Sequence, residues 1–210
     1  MENKNSSLTS YFPKLTTAQL SQFQKLEELF LDWNAKINLI SRKDEQHFYE
    51  RHVLHSLSIG YYIDFLPETR IMDVGTGGGF PGIPLAILFP EVDFFLIDSI
   101  GKKIKVVEDL IAALNLKNIS TQQIRAEEVN NSYDFIVTRA VAQLDELLKW
   151  TSKKINKESR NEIKNGILAL KGGDLTEEIK RANRSVISWD LSDSFSEDFF
   201  ETKKLIYVSI

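Results

Sequence analysis

Ten consecutive residues, Asp73-Val74-Gly75-Thr76-Gly77-Gly78-Gly79-Phe80-Pro81-Gly82, lie where an apolar stretch ends and a proline-punctuated helix can begin. Glycines at 75, 77 and 79 take the Cβ atoms out of the way and permit positive φ, so a nucleoside group can lie directly on bare backbone N–H groups. Pro81 and Pro84 suit the first turn of the helix that follows, where a missing N–H costs little. Such a loop binds a nucleotide-like cofactor.

Two details narrow the cofactor. Phe80 occupies the slot where the dinucleotide fingerprint G-x-G-x-x-G places its third glycine, which weakens a reading as NAD. Asp73 puts a carboxylate at the strand end, where it repels a pyrophosphate and attracts a cation. S-adenosylmethionine carries a sulfonium and an α-ammonium group, and the pattern acid-x-Gly-x-Gly-x-Gly resembles the first motif of the Rossmann-like methyltransferases.

The elements that must position this loop read as an α/β alternation. Strands are expected at Arg70–Val74, Asp93–Asp98, Asn118–Ile124, Tyr133–Thr138 and Gly166–Leu170, then at Ser185–Asp190 and Lys204–Ile210, with parallel crossovers. Ile104, Val107, Leu110, Ile111 and Leu114 repeat as one helical face ended by Asn115. Residues 1–66 read as an N-terminal helical region, with a stripe of Leu20, Phe23, Leu26, Phe30, Trp33 and Ile37 opened by the capping pair Thr16 and Gln19. Residues 67–210 read as the catalytic domain, the two parts forming one compact unit. Lys153–Asn165 reads as a surface helix or loop, and Ser192–Glu201 as acidic and turn-like.

Ligands of open α/β sheets bind past the carboxyl ends of the strands, so the residues there belong together. Asp98 stands where an acid accepts hydrogen bonds from ribose hydroxyls, its structural alternative being a helix N-cap. Arg125, Arg139 and Lys171 follow three different strands and are expected to converge on one cationic rim that positions a phosphate-bearing substrate. Ala126 and Glu127 suit the adenine region, Glu127 equally a first-turn helix charge. Phe80 packs on the cofactor or into the core, and Lys102, Lys103 and Lys105 form a solvated helix face or touch RNA phosphate. His52 reads as structural, and no acid–base catalyst is assigned.

The 210 residues, 42% apolar and 27% charged, fit one soluble domain with an appendage. No apolar run approaches the ~20 residues that span a bilayer, and Met1-Glu2-Asn3-Lys4-Asn5-Ser6-Ser7 lacks the apolar core of a signal peptide, so a cytoplasmic location is expected. Without cysteine the chain has no thiolate nucleophile and no cysteine-based metal site, and three histidines make no convincing zinc site, so no metal is expected. A net charge of −4 gives no global nucleic-acid footprint, and RNA contact would need a local basic patch.

Over nearly its whole length the chain resembles the bacterial 16S ribosomal RNA guanine-N7 methyltransferase family, also called glucose-inhibited division protein B. The matching pieces are Trp33-Asn34-Ala35-Lys36-Ile37-Asn38-Leu39, Asp73 through Ile87, Asp98-Ser99 with Lys102-Lys103, Arg125-Ala126-Glu127-Glu128, Thr138-Arg139-Ala140 and Ala169-Leu170-Lys171-Gly172. The resemblance implies a Rossmann-like class I S-adenosylmethionine-dependent methyltransferase with a mostly parallel sheet. It implies cofactor contacts at Gly75 and Phe80, at Asp98, Ser99 and Ile100, and at Ala126, Glu127 and Arg139; the loop itself adds Asp73, Gly77 and Gly79 as cofactor-binding candidates. It also implies methylation of one guanine in the 530 loop of 16S rRNA in the small ribosomal subunit, with neither DNA nor membrane as partner. His55 departs from the family, which commonly has aspartate there in an Arg/Lys-His-x-x-Asp-Ser segment. A small-molecule methyltransferase and a non-catalytic nucleotide-binding or ribosome-associated module stay open beside this reading.

Overall fold

A computed structural model of the chain describes residues 4–210, with side-chain surroundings from Leu8 onward. Residues 1–3, part of the segment behind the expectation of no signal peptide, lie outside the described residues. Among the described residues the regular elements of the N-terminal region are all helical: α1 (Lys4–Tyr11), α2 (Thr17–Ile37), α3 (Arg42–Glu45), a π-helical turn (Tyr49–Leu54) and α4 (His55–Tyr62). A reciprocal capping box opens α2: Thr16 Oγ1 accepts from Gln19 N at 3.2 Å, and Gln19 Oε1 accepts from Thr16 N at 2.9 Å. Of the stripe, Phe23, Leu26 and Phe30 are fully buried, while Leu20, Trp33 and Ile37 are half-buried.

Seven strands follow: β1 (Arg70–Val74), β2 (Asp93–Asp98), β3 (Ile119–Gln123), β4 (Phe135–Arg139), β5 (Gly166–Gly172), β6 (Ile187–Asp190) and β7 (Lys203–Ser209). Their order is β3-β2-β1-β4-β5-β7-β6. The first five are parallel, whereas β7 is antiparallel to β5 and β6 antiparallel to β7. Strand β6 therefore runs parallel to β5, reached by one more crossover through the helix at Thr176–Ala182, and only β7 runs against the other strands. The connection from β6 to β7 holds only the 3-10 turns Leu191–Asp193 and Asp198–Thr202, with no helix to carry the chain back over the sheet. The connection is acidic at the surface yet buries Phe195, between the turns, and Phe200. Strand ends shift by one or two residues from expectation, and Lys153–Asn165 is mostly irregular, pinned by Asn165 Nδ2 donating to the carbonyls of Asn156 (2.9 Å) and Glu158 (2.7 Å).

Helices α5 (Gly82–Leu88), α6 (Gly101–Leu114), α7 (Leu144–Thr151) and α8 (Thr176–Ala182) complete the covering layers. In α6 the apolar face expected from spacing is buried at Ile104, Val107, Leu110 and Leu114, and Asn115 at φ 55° ends the helix. Phe23, Leu26, Phe30 and Leu57 join Phe94, Phe135 and Leu205 in one apolar cluster, so the N-terminal helices and the sheet share a core. Met72, Ile136, Leu147 and Ile206 belong to a second cluster. At β1 the chain order reverses, between β2 on one side and β4 on the other, which opens a crevice at the carboxyl ends of these strands. Among the described residues no helix is long and apolar enough to cross a membrane.

Candidate functional site

The glycine loop leaves β1 and enters α5 with Gly75, Gly77 and Gly79 at φ 68°, 60° and 98°. At Gly75 a Cβ would lie 2.6 Å from Val141 Cγ2, whereas at Gly77 it would meet open space. Asp73 fastens the loop from beneath: its Oδ2 accepts from Thr76 Oγ1 at 2.7 Å and from Gly82 N at 2.9 Å. The side chain is wholly buried and Oδ1 has no partner. Burial pushes its pKa up to about 7, against the Thr76 and Gly82 hydrogen bonds that favour the anion. Asp98 fastens the loop from the side, Oδ2 accepting from Gly77 N at 3.0 Å and Oδ1 from Ile100 N at 2.9 Å. It bonds no amide inside α6, so the N-cap alternative does not hold.

Above the loop lies a cavity of about 470 Å³. Gly75, Gly77 and Phe80, the β2-end residues Asp98, Ser99 and Ile100, and then Arg125, Ala126, Glu127 and Arg139 all line it. Asp73 and Gly79 do not; the first lies under the loop and the second faces Ile83, 2.4 Å from where a Cβ would sit. Phe30, Leu39 and Ile40, together with Val141 and Trp150, complete the wall and were not singled out from sequence. Phe30 had a visible signal, its place in the α2 stripe, but nothing in that stripe says that its ring packs on the glycine loop. A Cβ on Gly78 would lie 2.5 Å from Phe30 Cε2.

A second cavity, of about 700 Å³, opens on the other side of Arg139. Arg51, His52, His55, Lys171, Phe199 and Lys203 line it, and Arg139, Ala140 and Val141 line both cavities. The single cationic rim is therefore corrected. Arg125 follows β3 at the sheet edge, with β2 and β1 between it and the strand that carries Arg139, so it reaches only the first cavity. Lys171 reaches only the second and is not free there: its Nζ lies 2.5 Å from Glu178 Oε1 and donates to Ala142 O at 2.5 Å. Glu178 Oε1 also accepts from Leu144 N at 2.7 Å, so this buried pair ties β5 to α7 and α8.

Arg139 leans across the Phe80 ring, 5.3 Å from guanidinium to centroid, and donates to Arg51 O and His52 Nδ1, both at 3.0 Å. Burial lowers its pKa to about 10, which leaves it charged at neutral pH, while the Asp73 and Asp44 carboxylates oppose the shift. His55 is buried against Phe199, ring centroids 5.2 Å apart, and burial with Arg139 and Lys203 nearby lowers its pKa well below the usual value. Ala140, the residue after Arg139, takes φ 54°, a left-handed conformation that alanine adopts only when its surroundings impose it.

Known proteins show the same organisation. The family described as rRNA small subunit methyltransferase G matches residues 19–206. A ribosomal RNA small subunit methyltransferase G of Phocaeicola vulgatus is 52% identical over 203 residues, 97% of this chain and 97% of that protein. One of Christiangramia forsetii is 56% identical over 201 residues, 96% of this chain and 95% of its own length. Among solved structures, a SAM-dependent methyltransferase from Aquifex aeolicus shares the fold at a TM-score of 0.56 with 14% identity, covering 80% of this chain and 94% of that one. On family match and identity together, the chain belongs to the rRNA small subunit methyltransferase G family.

Proposed function

We propose that this S-adenosylmethionine-dependent methyltransferase of small-subunit ribosomal RNA modifies N7 of one guanine in the 530 loop of 16S rRNA. The observation that carries this reading is the meeting of two cavities at Arg139, Ala140 and Val141, one floored by the glycine loop, the other lined by Arg51, Lys171 and Lys203 with the carboxylates of Asp44, Glu146 and Glu178 among them. The cofactor fits the first: the loop at Gly77 offers bare backbone where a Cβ would project into open space. Both oxygens of Asp98 keep a lone pair for ribose hydroxyls after accepting from Gly77 and Ile100. Ile100, Ala126 and Glu127 border the adenine, with Ser99 beside them, while Arg139 marks the methionine end and the way into the second cavity. Asp73 acts through the loop it fastens; burial raises its pKa to about 7, and a cationic cofactor above the loop would favour its ionised form.

S-adenosylmethionine, when bound, would supply a methyl group on a sulfonium; guanine N7, with an in-plane lone pair and no proton, would accept it in line as the S–CH3 bond breaks, a neutral thioether leaving and the positive charge passing to the purine. The residues around the junction therefore need no general base, and their work is alignment, which contributes on the order of 7–11 kcal/mol in favourable model systems. Arg139 positions the acceptor purine from the strand end, Arg125 holds a neighbouring phosphate at the rim of the first cavity, and Lys171 shapes the second cavity through its pair with Glu178. The acceptor is RNA of the small subunit, with DNA and membrane outside the reaction.

Gly77→Ala tests the cofactor cradle. The new methyl meets no protein atom, and the left-handed backbone costs about 1–2 kcal/mol, so the variant folds. Equilibrium dialysis with labelled S-adenosylmethionine is expected to show binding weakened at least tenfold. Unchanged affinity would place the cofactor elsewhere.

A further inference from the structure

Arg139 carries five N–H donors and no acceptor, so each group it bonds must offer a lone pair. Among the described residues two protein acceptors meet it: the Arg51 carbonyl and His52 Nδ1, each at 3.0 Å. Both are neutral, and among the described residues no carboxylate lies within ion-pair distance of the guanidinium. Both also come from adjacent residues of the π-helical turn Tyr49–Leu54. In a regular α-helix the Arg51 carbonyl would accept from the backbone amide of His55. Here that amide goes to the carbonyls of Glu50 and His52 instead, and the wider turn releases the Arg51 carbonyl towards β4.

The bond to Arg139 also fixes the His52 tautomer. Nδ1 must be unprotonated, which leaves the proton on Nε2. The ring cannot swing away, because it is wedged beside Phe80, Phe48 and Phe30, with centroids 5.6, 6.0 and 6.5 Å distant. Burial and the neighbouring arginines hold its pKa down to about 3, against the pull of Asp44, so the lone pair is present at any working pH.

We infer that His52 is a positioning residue for methyl transfer: its Nδ1 lone pair, with the Arg51 carbonyl released by the π-helical turn, aims the Arg139 guanidinium at the junction of the two cavities without neutralising its charge. The N-terminal helical region thereby sets the geometry of a residue carried by the sheet. The inference rests on the role proposed for Arg139 and adds the device that orients it.

The test compares His52→Asn, whose Oδ1 sits close to the place of Nδ1, with His52→Gln, whose carbonyl lies one atom further out, and with His52→Leu, which has no acceptor. Turnover on small ribosomal subunits, KM for the subunits and thermal unfolding are measured for each, together with Arg139→Ala and the double variant Arg139→Ala/His52→Leu. The Leu variant is expected to lose roughly 100-fold in kcat, as a misplaced catalytic group does, with KM little changed. Asn should recover most of that loss and Gln little of it, and the double variant should be no slower than Arg139→Ala alone. A fully active Leu variant beside an inactive Arg139→Ala would overturn the inference and leave the role of Arg139 standing, whereas an active Arg139→Ala would remove that role itself. Should Leu fail to fold, equal activities of Asn and Gln would overturn the inference just as well.

Discussion

Lys171 and Glu178 show how a fold can occupy a residue that the sequence offers to a substrate. From sequence Lys171 is a strand-end cation awaiting a phosphate. In the fold its ammonium is spent on Glu178, with both side chains only about a tenth exposed (10% and 9%). Removing one member of a buried pair leaves the other as an uncompensated charge, at a cost of about 3–5 kcal/mol. Lys171→Ala is therefore expected to lose stability as well as activity, and Lys171→Met combined with Glu178→Gln to lose much less. Thermal unfolding of the single and double variants checks this, and a Lys171→Ala protein as stable as the parent would contradict it. The glycines and Asp98 were legible because their chemistry depends on the backbone they sit on. Which way a buried carboxylate faces was not: Asp73 reads as an acid presented to the ligand, yet the fold turns it beneath the loop onto Thr76 and Gly82. Glu178 was hidden for a related reason, since an acid in the first turn of α8 satisfies the helix dipole whether or not a lysine lies across from it.

At the scale of elements, α2 joins folding to function. Its heptad-like stripe and capping box were legible, as local signals are, and so were the core-facing positions of α6. The antiparallel return of β7 and the π-helical turn at Tyr49–Leu54 were not, because both are decided by tertiary partners: a connection without a crossover helix, and an arginine on a distant strand that takes a carbonyl. Phe30 illustrates the coupling. It is fully buried, lies 5.2 Å from Phe48 and 5.3 Å from Phe80 between centroids, and closes over Gly78 in the wall of the first cavity. Phe30→Ala is expected to cost about 3–5 kcal/mol in stability and also to weaken cofactor binding, whereas a substitution of similar cost far from the cavity should leave affinity intact. A Phe30→Ala protein with parental cofactor affinity would show that the helical region only scaffolds the sheet.

Across the whole molecule, buried titratable groups set how stability follows pH. His52, near 3, and His55, also depressed, stay neutral in the fold while their unfolded forms take up protons below about 6.5. Their contribution is complete above that pH and is lost as pH falls. Asp73, raised to about 7 from 3.8, has the opposite sign: it holds a proton in the fold that the unfolded chain releases, so its contribution fades as pH rises through that window. Two histidines against one aspartate leave the unfolded state binding more protons below about 6.5, so stability is expected to fall on acidification. Denaturant unfolding across this range should show that fall, and His55→Asn, which leaves one histidine against the aspartate, should flatten it; a dependence unchanged in that variant would contradict the assignment.

The central claim joins cofactor, acceptor atom and substrate in one junction. It is tested most directly by offering labelled S-adenosylmethionine and the purified enzyme to small ribosomal subunits from cells that lack it, then identifying the modified nucleoside by mass spectrometry. The account predicts N7-methylguanosine at a single position in the 530 loop of 16S rRNA, formed without an essential base near neutral pH. Methyl transfer to another atom or another nucleotide, or none to subunits, assembly intermediates or naked RNA despite cofactor binding, would contradict it.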